Sequence, residues 1–209
     1  MIHPLACVHP EAKLGENVEV GPFTVIHENV EIGDGTTLRE CVTVNRGTAA
    51  KGRTVVGSNC LIMAYSHVAH DCIVGNGVII SNATQLAGEV QVDDCAVIGG
   101  GSLIHQFCHI GSYVMLQGGA LVNKDIPPYV KAAREPISYV GVNAIGLRRH
   151  GFTADQIELI SAIYRTLYTS GTVLRDTLMQ LEAEFEPGEI RDTILDFIRK
   201  ADRGIVRGY

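Results

Sequence analysis

The aliphatic residues of this chain recur at every sixth position over more than half of its length. From position 8 to position 122, nineteen of the twenty positions spaced six apart are Leu, Ile or Val, and the exception is Ala50. Because roughly one residue in four is aliphatic in ordinary sequences, chance does not produce such a run. A period of six fits neither an α-helix nor a single strand, so it predicts a different repeating unit.

A chain that runs straight for about five residues, turns and repeats directs one aliphatic side chain inward on each side. Three sides close a triangular coil of 18 residues, and coils stacked about 4.8 Å apart form a left-handed parallel β-helix, a hexapeptide-repeat solenoid. Glycine follows seven of the aliphatic positions, where we expect tight corners, and small residues often stand two positions before them. In this fold, residues 18 apart are expected to stack in columns.

A second type of structure is predicted after the six-residue pattern stops at Val122. Two prolines at 127 and 128 end the strand pattern, and helical spacing begins near residue 141. Thr153 and Gln156 form a capping box that opens a helix, which Gly171 ends. Two more helices are predicted at about 173–185 and 189–202. The chain is therefore predicted to have a β-helix over residues 1–128 and a helical subdomain over residues 129–209 that can cap its open end.

Composition narrows the classes of protein. A hydrophobic content of 46% is ordinary for a soluble protein, and a net charge of −6 argues against nucleic acid as a general partner. The N-terminus lacks the basic and apolar regions of a signal peptide, and no apolar run could span a bilayer, so we expect a cytoplasmic protein without a transmembrane segment. The six cysteines include no C-x-x-C pair, which favours reduced core thiols over disulfides or a metal cluster.

Positive charge is concentrated late in the chain. A solvated face explains such charges, and an anionic ligand or an acidic partner is the functional alternative. The residues concerned are Lys124, Lys131, Arg134, Arg148 and Arg149.

Candidate chemistry lies around the aliphatic position Val68. His67 and His70 flank this residue, and Asp71 follows His70 directly. In the expected columns, Gly88 lies one coil above His70 and Gln106 two coils above. A glycine over a histidine leaves an open notch lined by a backbone N–H, which suits a general base beside an oxyanion donor.

Sequence alone favours a direct transfer reaction at this notch. No serine or cysteine is obviously paired with His70 as a nucleophile, so His70 is expected to deprotonate an incoming hydroxyl. Asp71 can orient the imidazole as the third group of a triad does. Since neighbouring residues of a strand point to opposite faces, this requires a bend in the backbone at the corner. His105 and Gln106 are expected to form the upper wall.

Two alternatives remain at this point. His67, His70, His105 and His109 are numerous enough to ligate zinc in a carbonic-anhydrase-like hydratase. However, His70 and His105 lie two coils apart, about 10 Å in rise, which is too far for both to share one ion within a subunit. The other alternative is a non-catalytic trimeric scaffold. We expect neither a metal nor a cofactor.

Five segments together resemble one enzyme family, the acyl-carrier-protein–UDP-N-acetylglucosamine O-acyltransferases, which catalyse the first step of lipid A synthesis. The likeness covers the first 33 residues and the chain from about residue 38 to the C-terminus. The segments are HVAHDC (67–72), LAGEV (86–90), IHQFC (104–108), DIPPY (125–129) and GVNAIGLRRHGF (141–152).

This resemblance implies a role for each matching residue. His70 would be the general base for the glucosamine 3-hydroxyl, Asp71 its partner, and Gly88 the oxyanion donor to the thioester carbonyl. Met115 and Gly118 would bound the acyl groove. The implied partners are acyl carrier protein as donor of a 3-hydroxyacyl group, UDP-N-acetylglucosamine as acceptor, and two further copies in a homotrimer. Residues implied to bind substrate are His67, His105, Gln106, Asn143 and Arg149.

The chain also departs from the family pattern. Glu89 stands where many members carry a histidine, and His150 replaces a frequent arginine. Two to three coils, with a projecting loop that helps to bind the acceptor, are absent between positions 34 and 39. Because the six-residue pattern continues in phase from Ile32 to Leu38, we expect the shortened prism to stack, with the His70 notch intact and part of the acceptor site removed.

Overall fold

The computed structural model describes residues 1–208, and very short strands dominate it. The strands that form the solenoid are β1 (Cys7–Val8), β2 (Lys13–Leu14), β3 (Glu19–Val20), β4 (Val25–Ile26), β5 (Val30–Ile32), β6 (Thr37–Leu38), β7 (Thr43–Val44), β8 (Thr54–Val56), β9 (Leu61–Ile62), β10 (His67–Val68), β11 (Ile73–Val74), β12 (Ile79–Ile80), β13 (Gln85–Leu86), β14 (Gln91–Val92), β15 (Val97–Ile98), β16 (Leu103–Ile104), β17 (His109–Ile110), β18 (Met115–Leu116) and β19 (Leu121–Val122).

Every third strand joins the same parallel sheet, so the three sheets form the faces of a triangular prism. Sheet I has the order β1-β4-β7-β10-β13-β16-β19, and sheet II contains β2, β5, β8, β11, β14 and β17. Sheet III contains β3, β6, β9, β12, β15 and β18, and later strands extend it. The expected left-handed parallel β-helix with a C-terminal helical part is confirmed.

The six-residue pattern forms the core. All seventeen aliphatic residues of the pattern from Val20 to Val122 are at most 3% exposed, whereas Val8 and Leu14 in the first coil are half-buried. Cys60, Cys72 and Cys108 lie inside as free thiols. Burial raises the pKa of Cys72 to about 12, so this thiol is inert at neutral pH.

The small interior residues also bond one coil to the next. The hydroxyls of Thr24 and Ser66 donate to carbonyls fifteen residues ahead, at 2.6 and 3.0 Å, and the Cys72 thiol does the same to Ala87 O at 3.1 Å. Among residues 1–208, every buried side-chain nitrogen and oxygen has a hydrogen-bond partner. Where this interior position is polar, it is therefore occupied by Ser, Thr or Cys, each of which is small and has a side-chain donor.

One expectation about the columns is wrong. Between β7 and β10 the register pairs Thr43 with His67, an offset of 24 residues instead of 18, and β5–β8 and β6–β9 show the same offset. The six extra residues leave the prism as a loop over residues 45–53. Ala50, which the pattern placed among the interior positions, is exposed in this loop. Above the loop, offsets of 18 hold as expected.

The glycines that follow aliphatic positions are required for a different reason from the tight corners that we expected. Glycines that follow an aliphatic position have no special backbone angle; a Cβ on Gly57 would lie 2.5 Å from Gly75 O in the next coil. The left-handed residues come two positions later and include bulky side chains, such as Phe107 with φ of 65° and Asp71 with φ of 60°. Close approach between coils, and not corner conformation, excludes a side chain.

The C-terminal part first extends the solenoid and then covers it with helices. Sheet III continues into β20 (Val130–Ala133), β21 (Ser138–Val142) and β22 (Arg207–Gly208), so the boundary proposed at residue 128 falls before strands that belong to the same sheet. The helices are α1 (Ala144–Arg149), α2 (Ala154–Thr169), α3 (Leu174–Glu184) and α4 (Glu189–Arg199).

The helix predictions are largely confirmed. Thr153 and Gln156 form both hydrogen bonds of the capping box at the start of α2, and the fully buried Tyr164 donates its hydroxyl to Pro128 O at 2.7 Å. The pattern did not separate α1, and α4 ends at Arg199, three residues before its expected end. Within residues 1–208, none of the helices has the length and apolar character needed to cross a membrane.

Candidate active site

His70 and Asp71 lie at the edge of the prism where sheet I passes into sheet II, directly after β10. The positive φ of Asp71 turns its carboxylate back towards the preceding side chain, so that His70 Nδ1 and Asp71 Oδ2 are 3.0 Å apart. The left-handed corner thus provides the bend that a His–Asp pair on neighbouring residues requires. The His70 side chain is 46% exposed and that of Asp71 is fully buried.

The buried Asp71 carboxylate receives donors from the loop at residues 45–53. The Thr48 N–H donates to Oδ1 at 2.8 Å and the Thr48 hydroxyl to Oδ2 at 2.5 Å. Burial by itself would raise the pKa of Asp71, but hydrogen bonds from Thr48, His70 and the backbone of Lys51 outweigh it and lower the pKa to about 2. Asp71 is therefore a carboxylate at neutral pH.

This arrangement selects one tautomer of His70. A carboxylate only accepts hydrogen bonds, so the contact with Asp71 requires a proton on His70 Nδ1. In the neutral imidazole, Nε2, the ring nitrogen away from Asp71, then carries the lone pair. His70 is thus arranged to accept a proton at Nε2 while Asp71 stabilises the resulting imidazolium.

Gly88 forms the expected notch above His70. The register of β10 with β13 places the two residues in one column. A Cβ on Gly88 would lie inside contact distance of both Cε1 and Nε2 of the His70 ring, so only glycine leaves space over the basic nitrogen. Within the described chain, the Gly88 N–H has no hydrogen-bond acceptor, and it is available to an oxyanion.

His67 and His105 line an open groove on sheet I, beside the His70 edge. The groove has a volume of about 530 Å³. Burial lowers the pKa of His67, whose Nδ1 lies 2.6 Å from the Thr43 hydroxyl, and His105 Nδ1 lies 3.1 Å from Gln106 O. The apolar lining residues are Ala69, Leu86, Ala87, Leu103, Ile104, Leu121, Val122, Pro136 and Ile137.

A second cavity lies on the other side of His70, on the coils below it. It measures about 430 Å³, and His27, Glu28, Asn45, Arg46 and Thr48 line it together with His70. Sequence reasoning missed this wall, because residues 45–53 were counted as part of a coil. The interruption of the six-residue pattern at Ala50 was the available signal.

The remaining candidate residues do not meet His70 within one chain. Gln106 is exposed in the His70–Gly88 column, whereas Met115 is on the outer side of sheet III and Gly118 at the edge between sheets III and I. Asn143 caps α1 and donates to Tyr113 O at 2.9 Å, which ties it to the edge between sheets II and III. Arg149 is exposed at the end of α1.

The zinc alternative finds no ligand cluster in the described region. Over residues 1–208, no three His, Cys, Asp or Glu side chains converge as metal ligands. His109, one of the four candidate ligands, lies on sheet II, where its Nε2 is 2.8 Å from Asp93 Oδ2 and its ring packs against Phe197.

Family profiles match both halves of the chain. The profile described as UDP N-acetylglucosamine O-acyltransferase, domain 2, matches residues 125–206, and a GMPPB C-terminal domain profile matches residues 2–86. The acyl-[acyl-carrier-protein]–UDP-N-acetylglucosamine O-acyltransferase of Burkholderia orbicola is 44% identical over 160 residues, which cover 75% of this chain and 61% of that protein. The chain thus matches about three fifths of the length of this curated relative.

Two solved structures are similar over nearly the whole chain. LpxA, a UDP-N-acetylglucosamine acyltransferase from Bacteroides fragilis, has a TM-score of 0.85 at 45% identity, with 99% of this chain and 100% of that chain covered. The UDP-N-acetylglucosamine acyltransferase of Francisella novicida has a TM-score of 0.85 at 31% identity, with 99% and 94% covered.

The coils and the histidine-bearing edge define a hexapeptide-repeat protein of the left-handed β-helix class. The 45% identity to the Bacteroides fragilis enzyme, over nearly the full length of both chains, identifies one family within this class. The chain belongs to the UDP-N-acetylglucosamine O-acyltransferase family.

Proposed function

We propose that this protein transfers a 3-hydroxyacyl group from acyl carrier protein to the 3-hydroxyl of UDP-N-acetylglucosamine, the first step of lipid A biosynthesis. The observation that carries the proposal is the His70–Asp71 pair beneath Gly88, in a chain of this family. A carboxylate-oriented base with a free N–H above it suits attack of a hydroxyl on a thioester carbonyl.

The reaction proceeds in two steps. His70 Nε2 removes the proton of the acceptor hydroxyl as its oxygen bonds to the thioester carbon, and the Gly88 N–H donates to the oxyanion of the tetrahedral intermediate. The intermediate then collapses, the C–S bond breaks, and the thiol of the carrier leaves with the proton from His70. Cys72 is no candidate for a covalent intermediate, because its thiol is buried and donates to Ala87 O.

The groove on sheet I supports an apolar substrate group beside the base. We place part of the acyl chain there, with His67 and His105 as polar contacts for the acyl 3-hydroxyl or the acceptor sugar. Gln106, one coil above Gly88, is in position to contact the nucleotide-sugar. These assignments follow the resemblance to the family and the position of each residue, either in the groove on sheet I or in the column above His70.

A homotrimer accounts for the candidate residues that lie on other edges. Four candidate residues lie away from the His70 edge of their own chain, so a neighbouring solenoid is needed to bring these residues to a His70 edge. They are Met115, Gly118, Asn143 and Arg149. We therefore propose sites between subunits, with Met115 and Gly118 bounding the acyl groove and Asn143 and Arg149 holding the nucleotide.

The exposed basic residues suit an acidic carrier protein. Lys131, Arg148 and Arg149 are all exposed and lie late in the chain, near the cap of the solenoid. Such charges attract an acidic partner at long range. We propose a cytoplasmic enzyme that uses no metal or other cofactor.

A direct assay tests the proposal. The protein is incubated with 3-hydroxyacyl carrier proteins of several chain lengths and a high concentration of UDP-N-acetylglucosamine, and the acylated nucleotide-sugar is measured. We expect transfer by the wild type and a loss of roughly a hundredfold to ten-thousandfold in His70→Ala, because the general base is removed.

The matched control is His3→Ala, which removes an exposed histidine of the first coil and should retain full activity. Undetectable transfer by the wild type would contradict the proposed activity, and full activity of His70→Ala would contradict the base. Acyl transfer that is lost on chelation, together with stoichiometric zinc, would contradict a reaction without a metal.

A further inference from the structure

We infer that Thr48 is a positioning residue of the transfer reaction, which holds the Asp71 carboxylate against His70. The inference rests on the proposed function. Thr48 lies in the loop that interrupts the six-residue pattern, 23 residues from Asp71 along the chain.

Thr48 binds both oxygens of the carboxylate. Its N–H donates to Oδ1 at 2.8 Å, and its hydroxyl donates to Oδ2 at 2.5 Å, the same oxygen that faces His70 Nδ1. Two donors on two oxygens fix the rotation of the carboxylate plane, as a single contact would not. Thr48 therefore directs Oδ2 towards the imidazole, together with a hydrogen bond from the Lys51 backbone.

The proton of the Thr48 hydroxyl has a defined direction. The Ala50 N–H donates to Thr48 Oγ1 at 3.2 Å, so the oxygen already accepts one hydrogen bond from its own loop. The hydroxyl hydrogen is then directed to Asp71, which as a carboxylate can only accept. Every donor and acceptor is thus assigned in the series of hydrogen bonds from Ala50 through Thr48 and Asp71 to His70.

Ion pairs hold the loop to the coils above and below it. Lys51 lies 3.8 Å from Glu89, the residue next to Gly88, while Arg46 pairs with Glu28 at 2.8 Å and Arg53 with Glu31 at 3.3 Å. Each exposed pair alone contributes little. Together they attach the loop on both sides of the Asp71 coil, so Thr48 is presented from a tethered segment.

Loss of the Thr48 hydroxyl should lower the rate of acyl transfer more than the affinity for either substrate. Without the Thr48 hydroxyl, Asp71 Oδ2 loses its shortest donor, and the carboxylate can rotate away from His70 Nδ1. The imidazole then no longer has a fixed tautomer, so fewer molecules present a lone pair at Nε2. Since hydrogen bonds to charged groups have a large effect, we expect kcat to fall roughly tenfold to a hundredfold in Thr48→Val.

Three variants and a double-mutant cycle test this role by activity. Thr48→Val should lower kcat with little change in the KM of either substrate, Thr48→Ser should retain activity within a few-fold, and Thr169→Val, at the exposed end of α2, should behave as wild type. In an Asp71→Ala background, Thr48→Val should have almost no further effect, because Thr48 acts through Asp71. Equal effects of Thr48→Val in both backgrounds, or its full activity, would overturn the inference.

A second measurement does not depend on activity. In protein labelled with ¹⁵N-histidine, with the His70 signals assigned by their loss in His70→Ala, the wild type should show the Nδ1–H tautomer. Thr48→Val should shift His70 towards a mixture of tautomers, and Thr48→Ser should not. An unchanged His70 tautomer in Thr48→Val would contradict the positioning role, even if the wild type transferred no acyl group and the proposed function failed.

Discussion

Asp71 combines three properties that rarely occur together in one residue. Its backbone is left-handed, its carboxylate is fully buried, and its pKa is lowered to about 2 despite that burial. Aspartate tolerates the left-handed region better than most residues, which suits a corner where the next coil leaves little space. One side chain therefore serves both the geometry of the coil and the charge of the site.

The low pKa of Asp71 predicts a pH dependence of stability. A carboxyl group with a pKa of 3.8 when unfolded and about 2 when folded stabilises the folded state by about 2 kcal/mol above pH 3.8, and this contribution disappears as the pH falls through 2. The difference in free energy of unfolding between wild type and Asp71→Asn should therefore shrink as the pH falls from about 5 towards 2. Urea unfolding at several pH values measures it.

Asn suits the same left-handed corner, so Asp71→Asn isolates the charge. The other carboxyl groups with lowered pKa, those of Glu28, Glu31 and Glu40, are present in both proteins and cancel in the comparison. A difference that does not vary with pH would show that Asp71 is not ionised preferentially in the folded state.

Sequence reasoning located His70, Asp71 and Gly88 but not Thr48. The first three lie next to one aliphatic position or one coil above it, where the column rule applies. Thr48 reaches Asp71 from a loop outside the repeat, and side-chain hydrogen bonds across 23 residues leave no periodic signal. The break in the pattern at Ala50 marks the loop, but nothing in the sequence indicates which of its residues binds Asp71.

At the scale of elements, regular units were predictable and departures from them were not. The strands follow from the position of one aliphatic residue in six, and α2 follows from its capping box. The hairpin of β20 and β21 has no such signal. β20 pairs parallel with β18 at the edge of sheet III, and it pairs antiparallel with β21 with a register shift between Val130 and Ala132. Tertiary pairing, and not local propensity, creates these two strands.

The capping box of α2 gives an element-level prediction. Thr153→Ala removes the side-chain acceptor for the Gln156 N–H, so the free energy of unfolding should fall by about 1 kcal/mol. Amide exchange in the first turn of α2 should accelerate, which equilibrium denaturation together with hydrogen exchange can measure. Thr169→Ala, near the other end of the helix, should leave both quantities nearly unchanged.

At the scale of the whole molecule, the prism distributes the candidate residues over three edges. His70 lies at the edge of sheets I and II, and Gly118 lies at the edge of sheets III and I. Asn143 donates a hydrogen bond to Tyr113 at the edge of sheets II and III. Columns of 18 residues place Gly88 and Gln106 above His70 and do not extend to Asn143, which follows the last coil of the pattern. They do not say which edges come together, because that depends on contacts between chains.

Assembly across subunits predicts complementation. His70→Ala and Arg149→Ala are each expected to be impaired, but in co-expressed mixed trimers an intact His70 from one subunit meets an intact Arg149 from another. Random assembly of equal amounts restores about one quarter of the sites. Sedimentation should show a particle of three times the chain mass of 22.5 kDa. No recovery on co-expression, compared with the two variants expressed separately, would place each site within one subunit.

The loop at residues 45–53 has a consequence for how such a protein can change. Six extra residues leave the prism at an edge, and every strand after them stays in register with its sheet. The chain can therefore gain residues at this edge without changing which sheet each later strand joins. Insertions in this loop that keep Thr48 in place would reshape the wall of the cavity below His70 without moving the coil that bears the base or the Gly88 column above it.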